Sequence, residues 1–259
     1  MNNKNREYTF FWFIENFSYC WHKSRESLVS PIFTTDGLES TAWTLKLYPR
    51  GSIHLCGIYA CLYRNEDDGS DMFVMNYSQS MVSGKISDSF LKKFTANFSK
   101  KSSKGCFFKF KTPLQILAKH ITNDTLTMRC KLWNGEGNAD KVAPICARTR
   151  IGIEHISLLY EVEDFSAVES NSKPVQIRSR TNKGCVILGS LHFKDSMCHE
   201  KNVVLEIKPS DNNQILSKCK IYLLDTSGNI IKSTEIDSRF EVERKETQRL
   251  PLFLKKMKF

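Results

Sequence analysis

The chain has 259 residues, of which 41% are hydrophobic, with 17 Phe, 8 Tyr and 4 Trp, and it carries a formal net charge of +10. No window offers the ~20 uninterrupted apolar residues of a membrane-spanning helix, and the polar start Met1-Asn2-Asn3-Lys4-Asn5-Arg6 lacks the apolar core of a secretory signal. Composition therefore speaks against a helical membrane protein and predicts one kept in the cytosol or nucleus. The length suits two units of about 100–150 residues, and the aromatic content favours strands over helices.

Residues 8–14 alternate in polarity and predict a half-buried strand, as do residues 42–47, which Pro49-Arg50-Gly51 stops. Residues 53–63 form a longer apolar run, ended by the acidic turn Asn65-Glu66-Asp67-Asp68-Gly69. A strand over 72–81 follows, up to a Ser83-Gly84 turn. Residues 107–111 alternate Phe with Lys, residues 113–120 alone read as helical, and residues 126–132 are a clean period-two strand. Short strands with turns at short intervals predict an antiparallel β-sandwich.

The polar, glycine-bearing stretch 134–141 closes this first unit, taken as residues 1–134, and opens a linker, residues 135–154, in which 147–153 reads as a connecting strand. A second unit, residues 155–259, repeats the strand grammar at 175–179, 186–193, 202–207, 218–224 and 230–236.

Two internal echoes predict that this second unit is a degenerate copy of the first. Trp12-Phe13-Ile14-Glu15-Asn16-Phe17-Ser18 returns as Tyr160-Glu161-Val162-Glu163-Asp164-Phe165-Ser166, an offset of 160 − 12 = 148. Ser80-Met81-Val82-Ser83-Gly84-Lys85 is similar to Leu224-Asp225-Thr226-Ser227-Gly228-Asn229, at 228 − 84 = 144. At that second offset Leu252–Lys255 falls on Phe108–Lys111 and Phe259 on Gln115, so the strand at 126–132 has no counterpart. The expectation is a second unit missing its last strand, in a truncated gene product.

Nine Cys, an odd number without a C-x-x-C pair, fit reduced thiols rather than a disulfide framework or a zinc site. No cofactor or metal is expected. Four N-x-S/T sequons, beginning at Asn16, Asn76, Asn97 and Asn123, read as turn and strand composition in a chain without a secretory signal. The H-E-x-x-H, G-x-S-x-G and G-x-x-x-x-G-K-[ST] signatures are all absent, which argues against an enzyme. Charge is uneven: residues 1–172 hold 21 Lys/Arg and 18 Asp/Glu (21 − 18 = +3), and residues 173–259 hold 17 and 10 (17 − 10 = +7). A nucleic-acid-binding reading rests on segment 100–111, which mixes five Lys with three Phe. Alternation in Phe108-Lys109-Phe110-Lys111 also fits an ordinary sandwich strand with its Phe inward.

The run Phe11-Trp12-x-Ile14-Glu15-Asn16-Phe17-Ser18, then Ser30-Pro31-x-Phe33, then Trp43-x-Leu45-x-Leu47-Tyr48-Pro49-x-Gly51, resembles a MATH (meprin and TRAF homology) domain of the speckle-type POZ protein group. The segment Asp124 to Trp133 is similar to that family's closing strand, so the resemblance covers about residues 8–133. It implies a sandwich that docks extended Ser/Thr-rich peptides in a shallow groove across one sheet. In the family a BTB/POZ domain follows and recruits cullin-3, so that the docked protein is ubiquitinated. No BTB-like stretch is read after Lys208, so cullin-3 is expected as a partner only if such a domain is supplied elsewhere. Carried over residue by residue, the implied groove positions are Cys61, Met75, Lys104 and Gly105-Cys106-Phe107, with only the Phe of the family's Trp-Gly-Phe kept.

Overall fold

The computed structural model describes residues 6–20, 22, 25–38, 40–49, 57–82, 91–109, 120–135, 139–153, 155, 157, 159, 161, 175–181, 184–195, 201–209, 215–240 and 248–254. The chain divides into two compact units, Met1–Ile153 and Glu154–Phe259.

The first unit contains β1 (Arg6–Glu15), β2 (Leu28–Val29), β3 (Phe33–Thr35), β4 (Thr41–Tyr48), β5 (Gly57–Arg64), β6 (Met72–Val82), β7 (Lys92–Ser99), β8 (Ser103–Lys109), β9 (Ile121–Thr122), β10 (Thr125–Trp133), β11 (Asp140–Lys141) and β12 (Ile145–Arg150). They form two sheets. Sheet I runs β11-β1-β10-β6-β7, with β12 also on β1 and β9 on β10. Sheet II runs β2-β4-β5-β8, with β3 on β4. Pairing is antiparallel except where β11 and β12 run parallel to β1. The all-β antiparallel architecture expected from the alternating strands is the one observed.

Period-two alternation supplies the core. Phe10, Trp12 and Ile14 of β1, Trp43, Leu45 and Leu47 of β4, Tyr77 and Met81 of β6, and Leu126, Met128, Cys130 and Leu132 of β10 are all buried together. β7 is a strand that the sequence reading passes over. Its Phe98 is fully buried and meets Trp43 edge-on, with ring centroids 5.0 Å apart.

The Glu-Asn-Phe-Ser run after Trp12 has a structural explanation at each position. Asn16 takes a left-handed backbone (φ 59°), and its Nδ2 donates to the Ile151 carbonyl at 2.8 Å. Phe17 is buried, and Ser18 donates from both its backbone N and its Oγ to the Asp124 carboxylate, each at 2.8 Å. One turn thus ties the end of β1 to the start of β10 and the end of β12.

A buried ion pair fixes the other end of the sandwich. Arg64 is fully buried, and its Nε and Nη2 donate to the Asp67 carboxylate at 2.9 and 2.6 Å. Its remaining donors reach the carbonyls of Phe98, at 3.2 Å, and Ser70, at 2.6 Å, and its guanidinium lies 4.9 Å from the centre of the Phe73 ring. Arg64 ends β5 in sheet II, whereas Phe98 belongs to β7 in sheet I. One side chain therefore bridges the sheets and closes the acidic turn.

The second unit has β13 (Val175–Thr181), β14 (Gly184–Asp195), β15 (Lys201–Pro209), β16 (Ile215–Leu224), β17 (Ile230–Phe240) and β18 (Gln248–Leu254). One sheet runs β13-β14-β15-β18, and β16 and β17 form a separate hairpin. Among the described residues this order differs from the crossed strand order of the first unit. One of the echoes also pairs unlike elements: Ser80–Val82 lie within β6, whereas Asp225–Asn229 form the turn of the β16–β17 hairpin, with Asp225 accepting from the backbone N of Ser227 and Asn229. The other echo falls at residues 160–166, which lie outside the described residues except Glu161. Outside them too lie residues 53–56, the Ser83-Gly84 turn and residues 113–119 of the expected helix; His120 is described and is helical.

Removing one partner from a buried, hydrogen-bonded ion pair strands the other charge and typically costs about 3–5 kcal/mol. Arg64→Ala is therefore expected to lower unfolding free energy by roughly that much, read by chemical denaturation. Asp67 also sets a pH dependence. Its hydrogen bond from Arg64 holds its carboxyl below the ordinary carboxylate range, against the opposing effect of burial. With the folded value depressed, the stabilisation is full above the unfolded value of about 4 and is lost as pH falls through the folded one. Stability measured from pH 7 downward should fall below about pH 4 in the parent, and less steeply in Asp67→Asn.

Candidate functional site

Sheet II turns one face to the core and the other outward. Trp43, Leu45, Leu47, Ile58, Ala60, Leu62, Cys106 and Phe108 point inward. The alternate residues Thr44, Lys46, Tyr48, Tyr59, Cys61, Tyr63, Gly105 and Phe107 share the opposite face. Strand register sets them in rows: Tyr48 beside Tyr59 beside Phe107, Lys46 beside Cys61 beside Gly105, and Thr44 beside Tyr63 beside Ser103. Val29 of β2, 50% exposed, extends the middle row next to Lys46.

Two glycines give the aromatic rings room to lie flat. A Cβ on Gly105 would stand 2.4 Å from Tyr59 Oη and 2.6 Å from its Cζ, so the Tyr59 ring lies across Gly105. A Cβ on Gly57, whose φ is +156°, would stand 2.7 Å from Phe107 Cζ. Tyr59 and Phe107 are direct cross-strand partners, and each leans over the other strand's glycine on the diagonal. Tyr48 stands against Tyr59 with ring centroids 5.6 Å apart.

The electrostatics of this face are simple. Lys46 Nζ sits 3.9 Å from the centroid of the Tyr63 ring, a cation–π contact. The outward set named above contains that one cation and no carboxylate. Cys61 is only 3% exposed, although it lies on the outer side. Burial pushes its thiol up, against the pull of the Lys46 charge and a hydrogen bond with Ser103. Burial likewise raises the Tyr59 phenol. Both therefore stay protonated at neutral pH and can act as hydrogen-bond donors.

The sequence-derived positions divide. β5 and β8 bring Cys61, Lys104, Gly105, Cys106 and Phe107 side by side. Gly105 and Phe107 are part of the outward face, and Cys61 lies in its floor. Lys104 is exposed, at a position that alternates with that face. Cys106 points inward, with its Sγ 3.0 Å from the Gln79 carboxamide, and burial pushes its thiol up to about 12. Met75 is on β6 of the other sheet, 1% exposed and packed in the core. Residue-by-residue reading missed Lys46, Tyr48, Tyr59 and Tyr63. The signal that could have found them is the period of two counted from Cys61 along β5, and from its cross-strand partner along β4.

Among the described residues no three His, Cys, Asp or Glu side chains gather as a metal-binding group, and no helix is long and apolar enough to cross a membrane.

The MATH domain model matches residues 9–132. The match spans β1 to β10 and so contains every strand of the aromatic face; MATH domains are protein-interaction modules rather than enzymes. Two curated mouse proteins show weaker similarity. TD and POZ domain-containing protein 1-like is 26% identical over 134 residues, covering 47% of this chain and 34% of that protein. TD and POZ domain-containing protein 3 is 37% identical over 46 residues, covering 18% of this chain and 13% of its own. The chain thus spans about a third or less of the curated relatives it matches.

The glycine floor of this face is open to test. Gly105→Ala should destabilise the first unit by about 1–3 kcal/mol, the usual cost of overpacking, because the new methyl displaces the Tyr59 ring. Adding Tyr59→Ala should recover only part of the loss, since the Ala60 carbonyl also stands 2.7 Å from the new Cβ. Denaturant midpoints of the two single variants and the double variant measure this coupling.

Proposed function

We propose that the first unit docks extended, Ser/Thr-rich segments of partner proteins across the outer face of β4, β5 and β8. The observation that carries this reading is the pair of aromatic rings, Tyr59 and Phe107, laid over Gly105 and Gly57. A flat peptide backbone can approach such a floor. The rings give apolar contact, while the Tyr59 and Tyr63 hydroxyls and Lys46 give polar partners for hydroxyl-bearing side chains. The MATH match over these strands and the similarity to proteins named for a POZ domain support a role like the substrate-recognition part of a cullin-3 ubiquitin-ligase adaptor. Cullin-3 recruitment on this reading requires a BTB/POZ domain, on this protein or on a partner.

The competing nucleic-acid reading loses ground in the same region. Of the basic-aromatic segment, Phe108 is fully buried, and Lys100 and Lys101 pair with Asp71 and Glu66 at 3.4 and 2.5 Å. Few free cations and one half-buried ring, Phe107, remain among its described residues for a phosphate-and-base surface.

Binding of a labelled Ser/Thr-rich peptide is the test. Phe107→Ala and Tyr59→Ala should each weaken binding by about tenfold, the loss of more than ~1 kcal/mol expected of an aromatic anchor. Affinity should change little with salt, whereas a phosphate-neutralising surface would give a slope of several units on a log–log plot. Unchanged binding in both variants would remove the groove assignment.

A further inference from the structure

β12 lies parallel to β1 along Phe10–Glu15 and, among the described residues, pairs with no strand on its other side. Its residues divide by face. Ile145 and Ala147 pack against the core, while Cys146, Arg148 and Arg150 are exposed on the outer side of sheet I. Next to them β1 presents Phe11 and Phe13, half-buried and turned away from the core, with ring centroids 6.4 Å apart. A shallow, mostly apolar basin of about 470 Å³ opens here between Phe11, Phe13, Val82, Thr127, Pro144 and Cys146. At the end of the basin where Thr125 faces Glu15, both arginines reach one carboxylate: Arg148 Nη1 lies 3.0 Å and Arg150 Nε 2.5 Å from Glu15. Their side chains remain 66% and 70% exposed. Two cations against one anion leave surplus positive charge, and a guanidinium has five N–H donors. The contacts to Glu15 leave most of them unused.

An open strand edge, surplus arginines and an apolar basin that begins at Cys146 lie side by side on the outer side of sheet I. We propose that this edge is a second docking site, separate from the aromatic face of sheet II, and that it takes an extended acidic peptide segment as an added strand. The peptide main chain pairs with the edge of β12 turned away from β1. Strand alternation then fixes the pattern of the guest. Side chains two residues apart fall beside Cys146, Arg148 and Arg150, so the recognised segment reads apolar-x-acid-x-acid, in whichever chain direction the strand runs. The apolar side chain enters the basin, and the carboxylates meet the arginines as charge-assisted pairs. A nucleic acid strand would satisfy the arginines but could not pair with a backbone edge, nor fill the basin with an aliphatic group.

The probe is a fluorescein-labelled peptide Gly-Gln-Leu-Val-Glu-Val-Glu-Val-Leu-Gln-Gly, which carries the pattern in both chain directions, with both Glu changed to Lys in a control peptide and oligothymidylate as a third ligand. On the full chain, fluorescence anisotropy should give a Kd on the order of 10–100 μM for the acidic peptide, and no saturable binding for the Lys control. Arg148→Gln with Arg150→Gln should weaken binding by about tenfold or more, whereas Phe107→Ala, on the other sheet, should leave it unchanged. A second readout needs no variant. Cys146 is exposed in the basin, so saturating peptide should slow its alkylation, followed by mass spectrometry, by several-fold. Equal binding by the Arg variant, loss of binding in Phe107→Ala, tighter binding of oligothymidylate, or an unchanged alkylation rate at Cys146 would each overturn the proposal.

Discussion

The buried Arg64 guanidinium is the constraint around which the first unit is organised. Burying a charge is costly unless it is paired and its donors are used, and here the Asp67 carboxylate and two backbone carbonyls meet it. Those partners lie on the acidic turn and on β7, so satisfying Arg64 specifies where both must sit. The turn in turn holds β4: Asp67 accepts from the backbone N of Ala42 at 3.2 Å, and the Asn65 N donates to the Ala42 carbonyl at 2.8 Å. A hydrophobic core would have packed sheet on sheet in many registers. A single buried cation with directional partners selects among them.

This constraint is also what the sequence conceals. The run Asn65-Glu66-Asp67-Asp68-Gly69 reads as a solvated acidic turn, and Arg64 reads as the polar end of a strand. Composition cannot tell that one of these carboxylates is internal, because burial depends on β7, whose Phe98 lies 34 residues beyond Arg64. The alternating strands β1, β4, β6 and β10 were legible for the opposite reason: their period of two is local. β7 alternates just as regularly through Phe94, Ala96 and Phe98, but lysines at its start make it look like a loop. The Glu15-Asn16-Phe17-Ser18 run was visible as a motif, yet its meaning was not. Its hydrogen bonds run to Asp124 and Ile151, more than a hundred residues away.

Parity decides what was legible of the site. Sliding an assignment by two residues along a strand keeps it on the same face, whereas a slide of one reverses it. Cys61 and Tyr59 differ by two, so a count of two from Cys61 reaches the Tyr59 ring on the same outer side of sheet II. Gly105 and Phe107 share that parity, and both belong to the face. Cys106 has the opposite parity and points at Gln79 in the interior. Met75 has the inward parity of β6, where its neighbour Val74 is 60% exposed.

On the proposed docking reading, the aromatic face gains from rings that are already placed. An interface loses free energy for every side chain it must immobilise, about 0.5–1.5 kcal/mol for a mobile one. Tyr59 and Phe107 are held before any partner arrives, each lying on the bare backbone of a glycine, and Tyr48 braces Tyr59 from the other side. The glycines weaken their strands by lacking side chains, and the rings that cover them offset that loss by packing. Stability and the proposed recognition thus rest on the same contacts. A substitution that opens the glycine floor acts on both, and one that removes a ring exposes backbone as well as deleting contact area.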